Sequence, residues 1–283
     1  MKEESLELIS KFAEILNNDS RFININQINK VKKTGVSDTY AFRLLINEYI
    51  GMNELLNKYY DDIIIKDNSD IYLNNDYYKN VKFKNKKIGN WEIKYEKYHP
   101  YELFVRDDII NIDGYEIPRF GYFDKPFYYP CVMENNNIWM SITPNEINTM
   151  KNNIENAYGN VLTFGLGLGY FSYMVSNKEN VKSVTIVEKD KKVIELFKNN
   201  ILPFYKFKYK INIIEDDCYR YYKNIKDGDY DYIFVDIYHD VSDGIDCFKR
   251  MNNINNFNKT IVEFWIYESM KYYLWDDIFK VDK

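Results

Sequence analysis

Cysteine, histidine, proline and long apolar runs are all scarce in this 283-residue chain. The three cysteines, Cys131, Cys218 and Cys247, are odd in number and lack paired spacing, which speaks against a disulfide framework or a cysteine zinc site. Only His99 and His239 are histidines, so a histidine-rich metal centre is not expected, and no metal is assigned. No apolar run approaches the ~18 residues of a membrane span. The first residues, Met1-Lys-Glu-Glu-Ser5, lack the apolar core of a secretion signal. A soluble, cytoplasmic protein without a membrane partner is therefore expected. Broad positive charge is missing as well. The net charge is −5, so no basic face for nucleic acid is implied and no nucleic-acid partner is expected.

What is present is enough apolar material for a packed core. Apolar residues make up 46% of the chain and charged residues 29%, which argues against global disorder. Leu6, Ile9, Ala13 and Leu16, with Phe12 and Ile15 beside them, recur at helical spacing. A second helix is expected from Asp38 to about Met52, capped by Ser37 or Asp38, with Phe42, Leu45, Ile46 and Tyr49 as its buried stripe. A third helix includes Leu55, Leu56 and Tyr59, so residues 1–70 read as a helical segment.

From Ile71 to about 142 the chain is rich in Tyr, Phe, Ile and Val. Turn signals interrupt it at Lys87-Ile-Gly-Asn90, Ile112-Asp-Gly114 and Asn135-Asn-Asn137. Asp113-Gly114 between Ile110, Ile112 and Tyr115, Ile117 marks a hairpin. Short antiparallel strands are expected here, forming a lid or a surface through which copies of the chain associate. Pro118, Pro126 and Pro130 suit edges and loops better than central strands. Thr143-Pro-Asn-Glu146 then reads as a capping box opening a helix to about Ala157.

The most informative stretch follows, Val161-Leu-Thr-Phe-Gly-Leu-Gly-Leu-Gly-Tyr170. An apolar run feeds into Gly165, Leu166, Gly167 and Gly169, and Phe171-Ser-Tyr-Met-Val175 continues as a helix. Such a strand–glycine loop–helix brings backbone close to a ligand and aims helix N–H groups at it. Three further apolar runs each end in acids. Val184-Thr-Ile-Val-Glu188 ends nineteen residues after Gly169, near the ~20 expected of an acid that accepts two ribose hydroxyls. Ile211-Asn-Ile-Ile-Glu-Asp-Asp217 offers Asp216 and Asp217. Tyr232-Ile-Phe-Val-Asp236 leads into the loop Ile237-Tyr-His-Asp240. In a parallel sheet all four carboxyl ends converge on one edge, where open α/β folds bind ligands.

Each piece has a structural explanation too. The glycines can serve a turn, Glu188 can be a solvated strand end, and Asp216 or Asp217 can cap the next helix. The ordered set favours a nucleoside ligand. A nicotinamide cofactor usually asks for G-x-G-x-x-G, whereas Gly165, Gly167 and Gly169 are G-x-G-x-G. An acid closing the third strand likewise suits an S-adenosyl ligand better than NAD.

Residues from about Trp139 to Asp240 resemble the Rossmann-like, class I S-adenosylmethionine-dependent methyltransferases. They are most similar to the spermidine synthase branch. The similar segments are Val184 to Glu195, Ile214-Glu-Asp-Asp-Cys-Tyr-Arg-Tyr-Tyr222 and Tyr230-Asp-Tyr-Ile-Phe-Val-Asp236. The resemblance implies an α/β fold with a doubly wound, mostly parallel sheet over 143–283, preceded by the helical segment 1–70 and the β-rich region 71–142. It implies that Gly165, Leu166, Gly167 and Gly169 approach the methionine part of the ligand. Glu188 would hold the ribose, and Asp217, with Asp216 beside it, the adenine. Asp236 would touch the ligand and, with Tyr238 and His239, serve the chemistry. The ligand would be S-adenosylmethionine or its decarboxylated form, and the acceptor a small molecule.

The chain departs from that branch in four places. Asp216 stands where the family usually has glycine. Leu168 replaces an acid that helps hold the cationic amine. The loop Asp236-Ile-Tyr-His-Asp240 has its second acid one place late and no proline. After Thr260-Ile-Val-Glu-Phe-Trp-Ile-Tyr267, a strand or the start of a helix, little room is left for a terminal hairpin. These departures disfavour aminopropyl transfer. The expected activity is methyl transfer, with aminopropyl transfer or a non-catalytic ligand-binding role as alternatives. The loop after Val235 also lacks the N/D-P-P-Y/F pattern of base-modifying enzymes.

Overall fold

A computed structural model describes every residue except 19, 20, 22, 24 and 281–283, and the backbone alone over 275–280. The chain divides into two compact units, residues 1–72 with 97–129, and residues 73–96 with 130–283. This division cuts across the expected boundaries near 70 and 142, because the β-rich stretch contributes to both units.

The first unit is built on helices Glu3–Asn17, Ile25–Lys32, Asp38–Ile50, Glu54–Lys58 and Tyr60–Ile63. The first helix buries Ser5, Leu8, Phe12 and Ile15, whereas Leu6 and Ala13 are exposed. The stripe is thus rotated from the expected one, since turning Phe12 inward removes more apolar surface from water than turning Ala13 inward. Ser37 caps the third helix by accepting a hydrogen bond from Tyr40 N at 3.1 Å. Phe42, Leu45 and Ile46 are buried as expected, but Tyr49 is exposed and Ile50 fills the last inward position. Phe12 stacks on Phe120 with centroids 4.0 Å apart, and Phe42 on Tyr122 at 3.8 Å. Ile64–Lys66 pairs parallel with Phe120–Tyr122, which pairs antiparallel with Phe104–Val105. Ile110–Ile112 and Tyr115–Ile117 form the expected hairpin around Asp113 and Gly114, both at positive φ.

In the second unit the first expectation fails. Asp76–Asn80 is helical, not extended, as is Ser69–Leu73 where the two units meet in sequence. Asn75 caps the helix through Tyr77 N at 2.9 Å, and the tyrosines that suggested strand are buried rings with bonded hydroxyls. Tyr77 donates to the Leu168 carbonyl at 2.7 Å and Tyr78 to the Ile142 carbonyl at 2.5 Å. Four strands then lie in the order Lys86–Ile88, Trp91–Tyr98, Phe127–Glu134, Asn137–Ser141. Their turns fall at the predicted Gly89-Asn90 and Asn135-Asn136. Pro130 sits inside an inner strand, contrary to expectation. Its ladder with Asn137–Ser141 starts only at Cys131, and its carbonyl accepts from Ile142 N, so the missing N–H falls beside the register and not within it.

The larger sheet has five parallel strands: β1 (Gly159–Phe164), β2 (Val181–Glu188), β3 (Ile211–Glu215), β4 (Tyr232–Val235) and β5 (Ile261–Phe264). Their order is 3-2-1-4-5. Most are near-continuous apolar runs, as a sheet covered on both faces requires. Helices α1 (Tyr170–Ser176), α2 (Lys191–Asn200), α3 (Cys218–Lys223), α4 (Val241–Ile254) and α5 (Tyr267–Lys280) follow the strands in turn. The segment 260–267 thus holds the strand Ile261–Phe264 and reaches the first residue of α5, Tyr267. The helix expected from 143 to 157 is two pieces, Pro144–Thr149 and Lys151–Asn156, and the Thr143 side chain makes no capping bond. This is a mostly parallel, Rossmann-like α/β sheet. Among the described residues no helix is long and apolar enough to cross a membrane.

Candidate functional site

The ladder of the sheet runs past the strand ends and fixes their tips side by side. Gly165 N donates to Val187 O at 3.0 Å, Asp216 N to Glu188 O at 3.1 Å, Asp236 N to Phe164 O at 3.2 Å, and Trp265 N to Val235 O at 3.1 Å. Gly165, Glu188, Asp216, Asp236 and Trp265 therefore stand along one carboxyl edge. A cavity of about 370 Å³ opens there. That volume lies within the ~300–1,000 Å³ of small-ligand sites.

The glycine loop forms one wall. At φ +90° Gly165 has backbone that side-chain-bearing residues avoid, and a Cβ on it would lie 2.1 Å from the Asp236 carbonyl oxygen. Leu166 and Gly167 line the cavity with it. Gly169 does not line the cavity. It caps α1 at φ +71°, and a Cβ there would lie 2.4 Å from both the Phe197 ring and the Tyr205 hydroxyl, so its smallness serves packing. Leu168 is fully buried and also absent from the lining.

On the β2 side, Glu188 is held by two backbone amides. Its Oε2 accepts from Leu166 N at 3.2 Å and its Oε1 from Asp190 N at 2.8 Å. Burial raises its carboxyl above the ordinary range, while the Asp190, Leu166 and Lys189 amides pull it back. Asp190 caps α2 through Lys192 N and accepts from Trp91 Nε1 at 2.8 Å, which fixes the Lys86–Trp91 hairpin against this wall. At the β3 tip, Asp217 caps α3 by accepting from Arg220 N at 2.9 Å. Asp216 Oδ1 accepts from Asp217 N at 2.7 Å and from Arg220 Nε at 2.6 Å. Both aspartates therefore do the capping and pairing work that the sequence allowed, while also lining the cavity.

The β4 tip brings Asp236, Ile237, Tyr238 and His239 to the opposite wall. Tyr238 is buried and its hydroxyl donates to the Trp265 carbonyl. His239 is exposed at the rim. Its Nδ1 lies 3.1 Å from Asp243 Oδ2, and its ring meets Trp139 edge-on with centroids 4.2 Å apart. Asp240 is not at the site chemistry but caps α4 in a capping box with Asp243.

One acid in this wall has no counterpart in the sequence reading. Glu146, from Pro144–Thr149, turns away from the cap it was expected to complete and lines the cavity. Its Oε2 is buried and has no hydrogen-bond partner among the described residues. Burial pushes its carboxyl well up, and the neighbouring Asp236 charge adds to that. Burial raises Asp236 as well. The local pattern gave no signal for this, because T-P-N-E reads as a helix start. Trp91, Trp139, Met140 and Trp265 also escaped the sequence reading; long-range packing alone brings them to the cavity.

The walls are strongly acidic. Glu134, Glu146, Glu188, Asp190, Asp216, Asp217 and Asp236 face a single lysine, Lys189. Such a field attracts a cationic ligand and repels the pyrophosphate of a dinucleotide. The residues present thus fit the sulfonium and nucleoside of an S-adenosyl ligand.

Comparison with known proteins agrees in part. Residues 142–260 match the family model of the spermine/spermidine synthase domain. No curated protein matches the chain. Among solved structures, a candidate caffeoyl-CoA O-methyltransferase from Staphylococcus aureus is 22% identical, with 44% of this chain and 69% of that one aligned, at a TM-score of 0.33. A candidate O-methyltransferase from Klebsiella pneumoniae is 14% identical over 34% of this chain and 44% of that one, at 0.27. A spermidine synthase in complex with the transition-state analogue AdoDATO is 16% identical over 38% of each chain, at 0.31. The chain thus spans less than half the length of the last two. Residues 142–260 are thus similar to the spermine/spermidine synthase domain, and the strands between 159 and 264 form a Rossmann-like parallel sheet.

Proposed function

We propose that the protein binds S-adenosylmethionine in this cavity and transfers its methyl group to a small-molecule acceptor. The observation that carries the reading is one acid-walled cavity shared by Gly165, Glu188, Asp217 and Asp236. The bound ligand supplies a carbon already activated by a sulfonium. The chain's own part is then to bind, align and exclude water. Glu188, fixed by two amides, keeps lone pairs for the ribose hydroxyls. Asp217 caps α3 through Oδ1 and has its other oxygen for the adenine amino group. The glycine loop lets backbone approach the methionine part. Asp236 faces the acceptor side, and Trp139 and His239 close the rim. Because the Tyr238 hydroxyl is committed to the Trp265 carbonyl, the role left to Tyr238 is to shape the wall and not to carry a proton.

Aminopropyl transfer from decarboxylated S-adenosylmethionine is the second reading, favoured by the family match over 142–260. Leu168, apolar and turned into the core, weighs against it. Isothermal titration calorimetry separates the readings. We expect binding of S-adenosylmethionine and S-adenosylhomocysteine, weakened in Glu188→Ala. Tighter binding of the decarboxylated form would favour aminopropyl transfer. Binding of NAD alone, or of nothing, would overturn both.

A further inference from the structure

We propose that Glu146 and Asp236 work as one proton-holding pair, and that Glu146 receives the proton given up by the acceptor. The inference rests on the S-adenosyl reading of the cavity and assigns a residue to its chemistry.

The two carboxyls reach the cavity from separate elements. Asp236 ends β4, and its own amide is tied to Phe164 O. Glu146 comes from a short helix that is pinned to the β5 side of the sheet. Trp265 Nε1 donates to its Thr149 Oγ1 at 2.8 Å, and in the helix that follows, Lys151–Asn156, Asn153 and Asn156 donate to the Glu263 carboxylate at 2.8 and 3.0 Å. The placement of Glu146 is thus built by several contacts. Leaving a buried carboxylate oxygen without a partner is costly, so an unpartnered Oε2 at a cavity wall calls for a proton or a ligand there.

The surroundings do not neutralise the pair. Tyr170 of α1 faces Glu146, its hydroxyl oxygen taking a bond from Asn75 Nδ2 at 2.9 Å. Tyr238 is spent on Trp265, and His239 at the rim on Asp243. Glu188 adds negative charge from the β2 wall, and Lys189 beside it is exposed. Two carboxyls under these conditions ionise together only at high cost, so one proton is retained between them.

A sulfonium in the cavity supplies the missing positive charge. Its arrival expels the retained proton to solvent and leaves the pair ready to act as base. In the transfer, the acceptor atom X of an X–H group forms a bond to the activated carbon as the carbon–sulfur bond breaks. That electron pair goes to sulfur, which becomes a neutral thioether. The proton on X passes to the Glu146 carboxylate, which restores the singly protonated pair. Charge and atoms balance without a further reactant.

Calorimetry of the full chain near pH 7, in buffers of different ionisation enthalpy, counts the protons released on binding. S-adenosylmethionine carries the sulfonium and S-adenosylhomocysteine does not. We expect the former to release about half a proton more than the latter. Glu146→Gln should cut that difference to what the buried Asp236 alone contributes. Equal proton release for the two ligands on the unaltered protein would overturn the proposal without recourse to any variant, while leaving S-adenosyl binding intact. An undiminished difference in a folded Glu146→Gln protein would also overturn it. Binding of neither ligand would instead remove the S-adenosyl reading on which it stands.

Discussion

The two flanks of the cavity carry the same functional group in opposite states of satisfaction. On the β2–β3 flank the carboxylates are met by donors. Glu188 receives two backbone amides, Asp217 one, and Asp216 an amide and the Arg220 guanidinium. On the β4 flank Glu146 Oε2 has no partner among the described residues, and burial raises the Asp236 carboxyl beside it. Burial raises Glu188 too, but three amides oppose it there. The difference separates two tasks. A carboxylate locked by amides holds a fixed direction and suits recognition of hydroxyl and amino groups. A carboxyl that nothing fixes as an anion is suited to gaining and losing a proton.

Gly165 joins the flanks, since its amide holds β2 and its α-carbon leaves room for the Asp236 carbonyl. Gly165→Ala should therefore disturb both at once and have the largest effect. A methyl group 2.1 Å from a carbonyl oxygen, at φ +90°, forces the loop to move. We expect a stability loss of about 3 kcal/mol, a fall in Tm of roughly 6–12 °C, and no detectable S-adenosyl binding. A thermally shifted protein that still bound ligand normally would break the link between the flanks.

Glu188→Ala tests the satisfied flank directly. Loss of a charged acceptor for two hydroxyls should weaken S-adenosylmethionine about 100-fold, near 2.7 kcal/mol. If calorimetry gave less than a threefold change, the amide-locked flank would not be the recognition side. Asp217→Asn is a finer probe. Asparagine caps helices as well as aspartate does, so α3 should be unaffected. Only the charge offered to the adenine amino group is lost, for which about fivefold weaker binding is expected, ~1 kcal/mol. Unchanged Tm with unchanged affinity would leave Asp217 a cap alone.

The satisfied flank was legible in the sequence and the unsatisfied one largely was not. Glu188, Asp216, Asp217 and Asp236 each end an apolar run, and a parallel sheet aligns such ends whatever lies elsewhere in the chain. The glycine loop, the hairpin at Asp113-Gly114 and the turns at Gly89 and Asn135 are likewise local. Glu146 is different. Its neighbours in sequence spell a capping box, and its helix is held instead by Trp265, while the next helix is held by Glu263, both more than a hundred residues away. The tyrosines of residues 71–80 failed for a related reason. Their rings promised strands, but Asn75 caps a helix and their hydroxyls find carbonyls at Leu168 and Ile142. Gly169, expected beside the ligand, lies outside the cavity lining and is crowded by Phe197, a ring that comes from α2 and that no local pattern announces.

The smallest effect sharpens the comparison most, because it needs no ligand. Both carboxyls of the β4 flank have their pKa raised on folding, chiefly by burial. The folded protein therefore holds more protons there than the unfolded chain does at pH values above the ordinary carboxylate range. Stability tied to the pair is complete below that range and is lost as pH rises through the elevated folded values. Glu146→Gln replaces one member by a neutral group of similar shape and removes the carboxylate that repels Asp236 from within the pair. The variant should match the parent near pH 5 and exceed it by about 1 kcal/mol at pH 8, a rise in Tm of roughly 2–4 °C. Glu188→Gln, on the flank where amides oppose burial, should show a smaller pH-dependent gain and lose the two amide bonds to an anion at every pH. Thermal melts of the three proteins from pH 5 to pH 8 would decide it. Parallel curves for parent and Glu146→Gln would mean that the β4 flank holds no proton, and that the two walls of the cavity differ in geometry only.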